Sequence, residues 1–269
     1  MRILIVGRGR MGAALARALP TAETAGRGAT GTGCDLVLIA VPDAEIAAAA
    51  ALIVPGPIVA HFSGATGLEV LGARDAFSLH PLLAVTGANT DLAGAYAAID
   101  ATPGRASAAA EALASTLGLR TFHVAPADRV AYHAAASIAA NFLVTIEDFA
   151  ERLAATAGVP REALAPLAEA ALTGWTRDGA AALTGPIARG DEATVAAQRA
   201  ALAARCAGTT HLAPQDLALF DALTAATRAL MTREQTRALR PEQRQEQSSK
   251  QDGGPGPQDP DSPQKETPA

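Results

Sequence analysis

The stretch Ile3-Leu4-Ile5-Val6-Gly7-Arg8-Gly9-Arg10-Met11-Gly12 decides the fold. Four aliphatic residues read as a buried strand, and Gly-x-Gly-x-x-Gly leads from it into an Ala/Leu-rich helix expected over Ala13 to Leu19. Each glycine answers a steric need. Gly7 allows a tight turn off the strand, Gly9 lets a pyrophosphate approach the backbone, and Gly12 lets helix and strand pack closely. The phosphates would rest on free N–H groups at the positive end of the helix. A glycine hexad alone is a weak signal, but here the strand before it and the helix after it are both in place. Gly7, Arg8, Gly9, Arg10, Met11 and Gly12 are therefore candidate cofactor-binding residues, and the ligand class is a dinucleotide.

Working outward, Pro20 ends the helix and Thr21 to Ala25 reads as a second strand. A site for NAD places an acid at the end of that strand to hold the ribose hydroxyls. This strand runs instead into Gly26-Arg27-Gly28, and a guanidinium there suits a 2′-phosphate. NADP(H) is therefore expected over NAD(H), with Arg27 as its ligand; Glu23 is the acid if the strand ends earlier. Gly28 to Cys34 is too short for the usual next helix, so the sheet looks abbreviated. Asp35 to Asp43 reads as a fully buried strand followed by a turn, and further strands are expected over 58–62, 76–79, 97–101 and 120–124, with helices over 44–52 and 106–117 between them. That alternation makes residues 1–125 an α/β domain, a doubly wound, mostly parallel Rossmann sheet. From Ala127 the pattern is helix only, over 128–157, 161–172, 192–206 and 214–232, which makes 126–233 an all-α domain. Residues 234–269 are polar, cannot bury a core, and read as a disordered tail.

Composition narrows the function. The chain has 269 residues, enough for two small domains, and 49% are apolar but only 3% aromatic. Its net charge of −5 comes without a basic block in the folded part, so nucleic acid is not an expected partner. No apolar run reaches the roughly 18 residues of a membrane span. A glycine motif opening at residue 7 leaves no room for a cleaved leader, so a cytoplasmic location is expected. Cys34 and Cys206 are too few and too far apart for a metal centre or disulfide framework, and no metal is expected. Lysine occurs only at Lys250 and Lys265, in the polar tail, so no lysine is available for chemistry in the folded domains.

Ligands of open α/β sheets bind beyond the carboxyl ends of the strands. Three polar clusters fall at such ends: Val41-Pro42-Asp43, His61-Phe62-Ser63-Gly64 and Ser78-Leu79-His80-Pro81. Val41, Pro42 and Ser63 join the cofactor set. Histidine is not a usual turn residue, so His61 and His80 are candidate catalytic groups. On the first long helix His133, Ser137 and Asn141 are four apart and share a face, among alanines that permit close approach. The competing reading of that face is a buried polar seam between helices. In the loop Thr184 to Asp191, Thr184 and Arg189 are candidates for holding a substrate carboxylate, while Asp191 fits the N-cap of the next helix.

These motifs together resemble a known family. The opening glycines with Ala-Val-Pro-Asp43 are similar to the nucleotide domain of pyrroline-5-carboxylate reductases and 6-phosphogluconate dehydrogenase relatives. His61-Phe-Ser-Gly64, Leu79-His-Pro81, Tyr132-His-Ala-Ala135 with Asn141, and Ala182-Leu-Thr-Gly-Pro-Ile-Ala-Arg-Gly-Asp191 resemble Rossmann-like proteins whose helical second domain is of unknown function. The resemblance covers residues 1 to 232. It implies an NADP-dependent oxidoreductase, in some members an alternative ketopantoate reductase, with a 6-phosphogluconate dehydrogenase-like helical domain that forms a homodimer. Standard ketopantoate reductases and β-hydroxyacid dehydrogenases use a helical lysine four residues before an asparagine. In this chain those positions hold Ser137 and Asn141. Another acid must then protonate the alkoxide, and His133 is the expected one, with His80 or His61 as alternatives. Asn141 would orient the carbonyl oxygen. The expected activity is NADPH-dependent reduction of a small carbonyl or imine carrying a carboxylate, ketopantoate first among them. The alternatives are an NADP-binding regulatory protein without turnover and a structural dimer with a vestigial site.

Overall fold

The computed structural model describes residues 1–208 and 212–251, with side chains as far as Arg237. Its chain divides into two compact units, Met1–Val144 and Thr145–Ala269. The first unit is built on β1 (Ile3–Val6), α1 (Arg10–Ala18), β2 (Glu23–Ala25), β3 (Leu36–Ile39), α2 (Ile46–Leu52), β4 (Ile58–His61), β5 (Ala76–Pro81), β6 (Tyr96–Ala101), α3 (Arg105–Thr116), β7 (Arg120–His123) and α4 (Arg129–Ser137). Its seven strands lie in the order β2-β1-β3-β4-β5-β6-β7. Every neighbouring pair is parallel except β5 with β6, which run antiparallel with Ser78 opposite Asp100. The sheet ends at the exposed strand β2, as the short glycine-rich segment after it foretold.

Alternation along buried strands sorts the side chains onto two faces. Ile5, Leu36 and Leu38 pack with Leu15 of α1 and Leu113 of α3, while Leu4, Val6, Val37 and Ile39 pack with Ile46 and Ala50 of α2. Both faces are covered, as a parallel sheet requires. Each such aliphatic side chain contributes roughly 1.5–3 kcal/mol by leaving water. Large aromatics are not needed for this core, because alanines on α3 (Ala106, Ala109, Ala110, Ala114) bring that helix close to the sheet.

Three expectations need correction. The division falls at 144/145, not at 125/126, because α4 is tied to the sheet: Arg129 is buried and donates from Nη2 to the Ser63 carbonyl at 3.2 Å. The expected single helix from 128 to 157 is interrupted by a π-helical turn at Ile138–Phe142 between α4 and α5 (Leu143–Ala155). By length and composition the run Pro126–Ala155 is also apolar enough to cross a membrane, because its alanines offset the scattered charges.

The second unit contains α6 (Arg161–Asp178), α7 (Glu192–Gly208) and α8 (Pro214–Gln251), with most of α5. Phe149, Leu202 and Leu212 form its core, and Arg152 makes two 2.9 Å hydrogen bonds to the buried Asp216 carboxylate. Asp191 caps α7, accepting from the Thr194 N–H at 3.0 Å. Helix α8 continues to Gln251, past its expected end at 232, since Glu234-Gln-Thr-Arg favours helix. The rest of the expected disordered tail, 252–269, lies outside the described residues, as does His211.

Candidate functional site

Two cavities open at the carboxyl ends of the strands in the first unit. The first, about 570 Å³, is lined by Gly7, Arg8, Gly9, Arg10, Met11, Arg27, Val41, Pro42 and Ser63, together with Asp43, Glu45, Phe62 and Val85. Gly7 and Gly12 stand here for the steric reasons expected of them. Gly7 adopts φ +123°, and a Cβ on it would overlap the Ala40 carbonyl oxygen. A Cβ on Gly12 would overlap the Gly7 carbonyl oxygen, so Gly12 does not line the cavity but lets α1 seat against the turn. Gly9 faces open space and is the N-cap of α1, with no side chain capping the helix and no acid in its first turn. Free N–H groups and an uncompensated positive helix end are what a pyrophosphate needs.

Arg27 lies just past the end of β2, while Glu23 opens that strand opposite Leu4, away from the strand's carboxyl end. The register therefore assigns Arg27, not Glu23, to the cavity. Its guanidinium donates to Glu45 at 2.8 Å. Glu45 was missed by sequence reasoning, which saw only an Ala-rich helix there. Ser63 closes the far end of the cavity. Its hydroxyl donates to Asp43 at 2.7 Å and accepts from the Thr66 N–H at 3.0 Å, so the turns after β3 and β4 are locked together.

His61 is corrected from a catalytic candidate to a strut. It is wholly buried; its Nδ1 accepts from the Ser63 N–H at 3.2 Å, which leaves Nε2 to donate to the Gly67 carbonyl at 3.2 Å. Burial pushes its pKa down, and the Arg129 charge adds to that against the pull of the Gly67 bond. A neutral imidazole with both nitrogens engaged shapes the 63–67 turn and has no proton to trade.

The second cavity, about 590 Å³, is lined by His80, Pro81, Leu82, Leu83, Ala84, Tyr132, His133, Ser137 and Asn141. Sequence spacing correctly placed the last three on one face, and the structure adds His80 from β5. The π turn at 138–142 carries Asn141 into this wall. His80 is driven down to about 4, chiefly by burial and then by the charges of His133 and Arg129. Arg129 is 3% exposed, and its Nε and Nη1 make no hydrogen bond to a described residue; the Asp100 carboxylate is 3.7 Å from Nη1. The buried Ser78 hydroxyl, across the strand pair from Asp100, is likewise without a partner among the described residues.

The two cavities adjoin through consecutive residues. Ser63 and Val85 line the first, while Ala84 lines the second and Gly64 packs under its imidazoles. Thr184 and Arg189 lie exposed in the loop before α7 of the second unit, and neither lines a cavity described here.

Comparison with known proteins bears on these features. The family of Rossmann-like domains matches residues 20–82, and the family described as domain of unknown function DUF2520 matches residues 95–227. The chain thus joins a Rossmann-like domain to that domain of unknown function, the pairing its motifs resemble. No curated protein matches it by sequence. Among solved structures, a proposed NADP oxidoreductase from Bacteroides fragilis superposes with a TM-score of 0.68 at 19% identity, over 85% of this chain and 98% of that one. Pyrroline carboxylate reductase from Plasmodium falciparum, with NADP bound, gives 0.55 at 12% identity, over 86% and 98%. A reductive aminase from Aspergillus terreus, in complex with NADPH and ethyl-5-oxohexanoate, gives 0.57 at 16% identity, over 84% and 92%. These likenesses are of fold.

Proposed function

We propose that this protein is an NADPH-dependent reductase of a small carbonyl or imine compound bearing a carboxylate, with ketopantoate the first substrate to try. The observation that carries the reading is the adjacency of an uncapped, glycine-lined helix end to a cavity lined by His80, Tyr132, His133 and Asn141. The first cavity suits a dinucleotide, and Arg27 past β2, paired with Glu45, suits its 2′-phosphate. Bound there, NADPH supplies a hydride. Side chains of the second cavity then have two tasks, to orient the oxygen or nitrogen of the substrate and to deliver a proton to it. Asn141 is read as the orienting group. The relatives solved with NADP or NADPH bound support the cofactor reading.

A second copy of the chain is read as covering the apolar residues left exposed around the π turn, Val130, Ile138, Phe142 and Val144. The deciding experiment is the initial rate of NADPH oxidation with ketopantoate, set against NADH and a no-substrate control. A saturable rate that drops with NADH upholds the reading. NADPH binding without turnover across 2-oxo acids and imines replaces it with a nucleotide-binding regulatory protein.

A further inference from the structure

Two residues lining the second cavity, quoted in separate motifs, are brought together by the fold as a pair. Tyr132 Oη lies 2.7 Å from His80 Nδ1, with the two rings edge-on at 5.6 Å. Phe122 packs against the Tyr132 ring, its centroid 5.8 Å away. Gly64 lies against the other partner: a Cβ there would come within 2.7 Å of His80 Cε1 and 2.8 Å of His133 Cδ2. Strand β5, helix α4 and the turn after β4 therefore fix the pair from three sides. His133 stands beside it, 5.9 Å from His80, and makes no hydrogen bond to a described residue.

Two neutral arrangements satisfy the short contact. Either the phenol donates to Nδ1, or Nδ1–H donates to the phenol oxygen; only the second leaves the phenol proton free for a substrate. Burial raises the Tyr132 pKa while the Arg129 charge opposes it, so the phenol keeps its proton near neutrality. The charged groups acting on His80 are His133, Arg129 and His61, which disfavour its protonation, and Asp43, which favours it.

We propose that Tyr132 is the proton donor of this site, held by His80 and backed by the buried charge of Arg129. The assignment rests on the reductase reading above. When hydride reaches the carbonyl carbon, the π pair of C=O moves onto oxygen and takes the phenol proton as the O–H bond of Tyr132 breaks. The phenolate left behind accepts from His80 Nδ1–H, feels the Arg129 guanidinium, and regains a proton from water once the product leaves. His80 and Arg129 are positioning residues in this scheme.

The test uses the full chain with NADPH, ketopantoate and a panel of 2-oxo acids. Tyr132→Phe should bind NADPH as wild type does by fluorescence titration, and its turnover should fall about 100-fold or more, the usual weight of a general acid. His133→Ala should lose less than Tyr132→Phe. A Tyr132→Phe rate close to wild type overturns the assignment. A second readout needs no turnover. The chain has two tyrosines, so a Tyr96→Phe background isolates Tyr132 in a tyrosinate absorbance titration. Adding His80→Gln should move that titration; if it does not, the pair is refuted. A wild type that binds NADPH but reduces nothing overturns the reductase reading and the donor role with it, while a titration that moves still upholds the pair.

Discussion

The two cavities of the first unit are made of different material. The first is built largely of backbone: glycines that clear space, a free helix end and strand termini. The second is built of side chains drawn from β5, α4 and the π turn. A backbone site tolerates almost no change in its glycines yet says little about what chemistry follows. A side-chain site is the reverse, since its frame accepts substitution while its chemistry hangs on a few polar atoms. The shared cofactor and the private substrate of an enzyme map naturally onto that division.

The largest effect should come from breaking the backbone side. Gly12→Ala drives a methyl into the Gly7 carbonyl, so α1 must lift from β1. The expected cost is about 3 kcal/mol or more, in the range of a severe overpacking. NADPH binding should vanish with it, as seen by denaturant melts and fluorescence titration. Retained affinity would mean that the helix end is not the phosphate site. Gly64→Ala tests the other side, because its methyl meets His80 and His133 instead of main chain. Turnover should drop about 10- to 100-fold, as misplacing reacting groups by an ångström does, with NADPH affinity little changed. If both fall together, the cavities are not separable.

A pH series sharpens the contrast further. His80 titrates near 4 in the fold against an ordinary 6.5, so the unfolded chain takes up its proton first as pH falls. Stability from the neutral imidazole is full above pH 6.5 and is lost between 6.5 and 4, by up to about 3 kcal/mol. Lowered His61 pulls in the same direction. Chemical denaturation of wild type and His80→Asn across this window should show a flatter curve for the variant. The smallest effect is expected at the rim of the first cavity. Glu45→Gln frees Arg27 from its 2.8 Å partner and should tighten NADPH a few-fold while leaving NADH unchanged, the scale of an exposed ion pair. Equal gains for both nucleotides would remove Arg27 from 2′-phosphate recognition.

The same division explains what was legible in the sequence. Gly7, Gly9 and Gly12 could be read because a backbone site leaves its mark as missing side chains at fixed spacing. Val41, Pro42 and Ser63 followed from the rule that ligands sit at strand ends, and His133, Ser137 and Asn141 from helical spacing. Tyr132 was quoted in a motif but had no assigned task, because its partner is 52 positions away on β5. Arg129 drew no reading from the sequence; only the fold shows it buried and donating to the Ser63 carbonyl. His61 and His80 were indistinguishable as residues at strand ends. What separates them is that the 63–67 turn folds back onto one and leaves the other facing a cavity. The π turn left no trace in the alanine-rich run around it, and the helix-only pattern from Ala127 did not reveal that α4 belongs with the sheet.

The chain has a single tryptophan, Trp175, which is 61% exposed on α6 of the second unit. The proposed nucleotide site is in the first unit. Indole emission therefore reports on one unit, while the reduced nicotinamide absorbs where indole emits. Quenching of that emission on adding NADPH is therefore a label-free signal of nucleotide binding, and a Trp175→Phe chain supplies its blank.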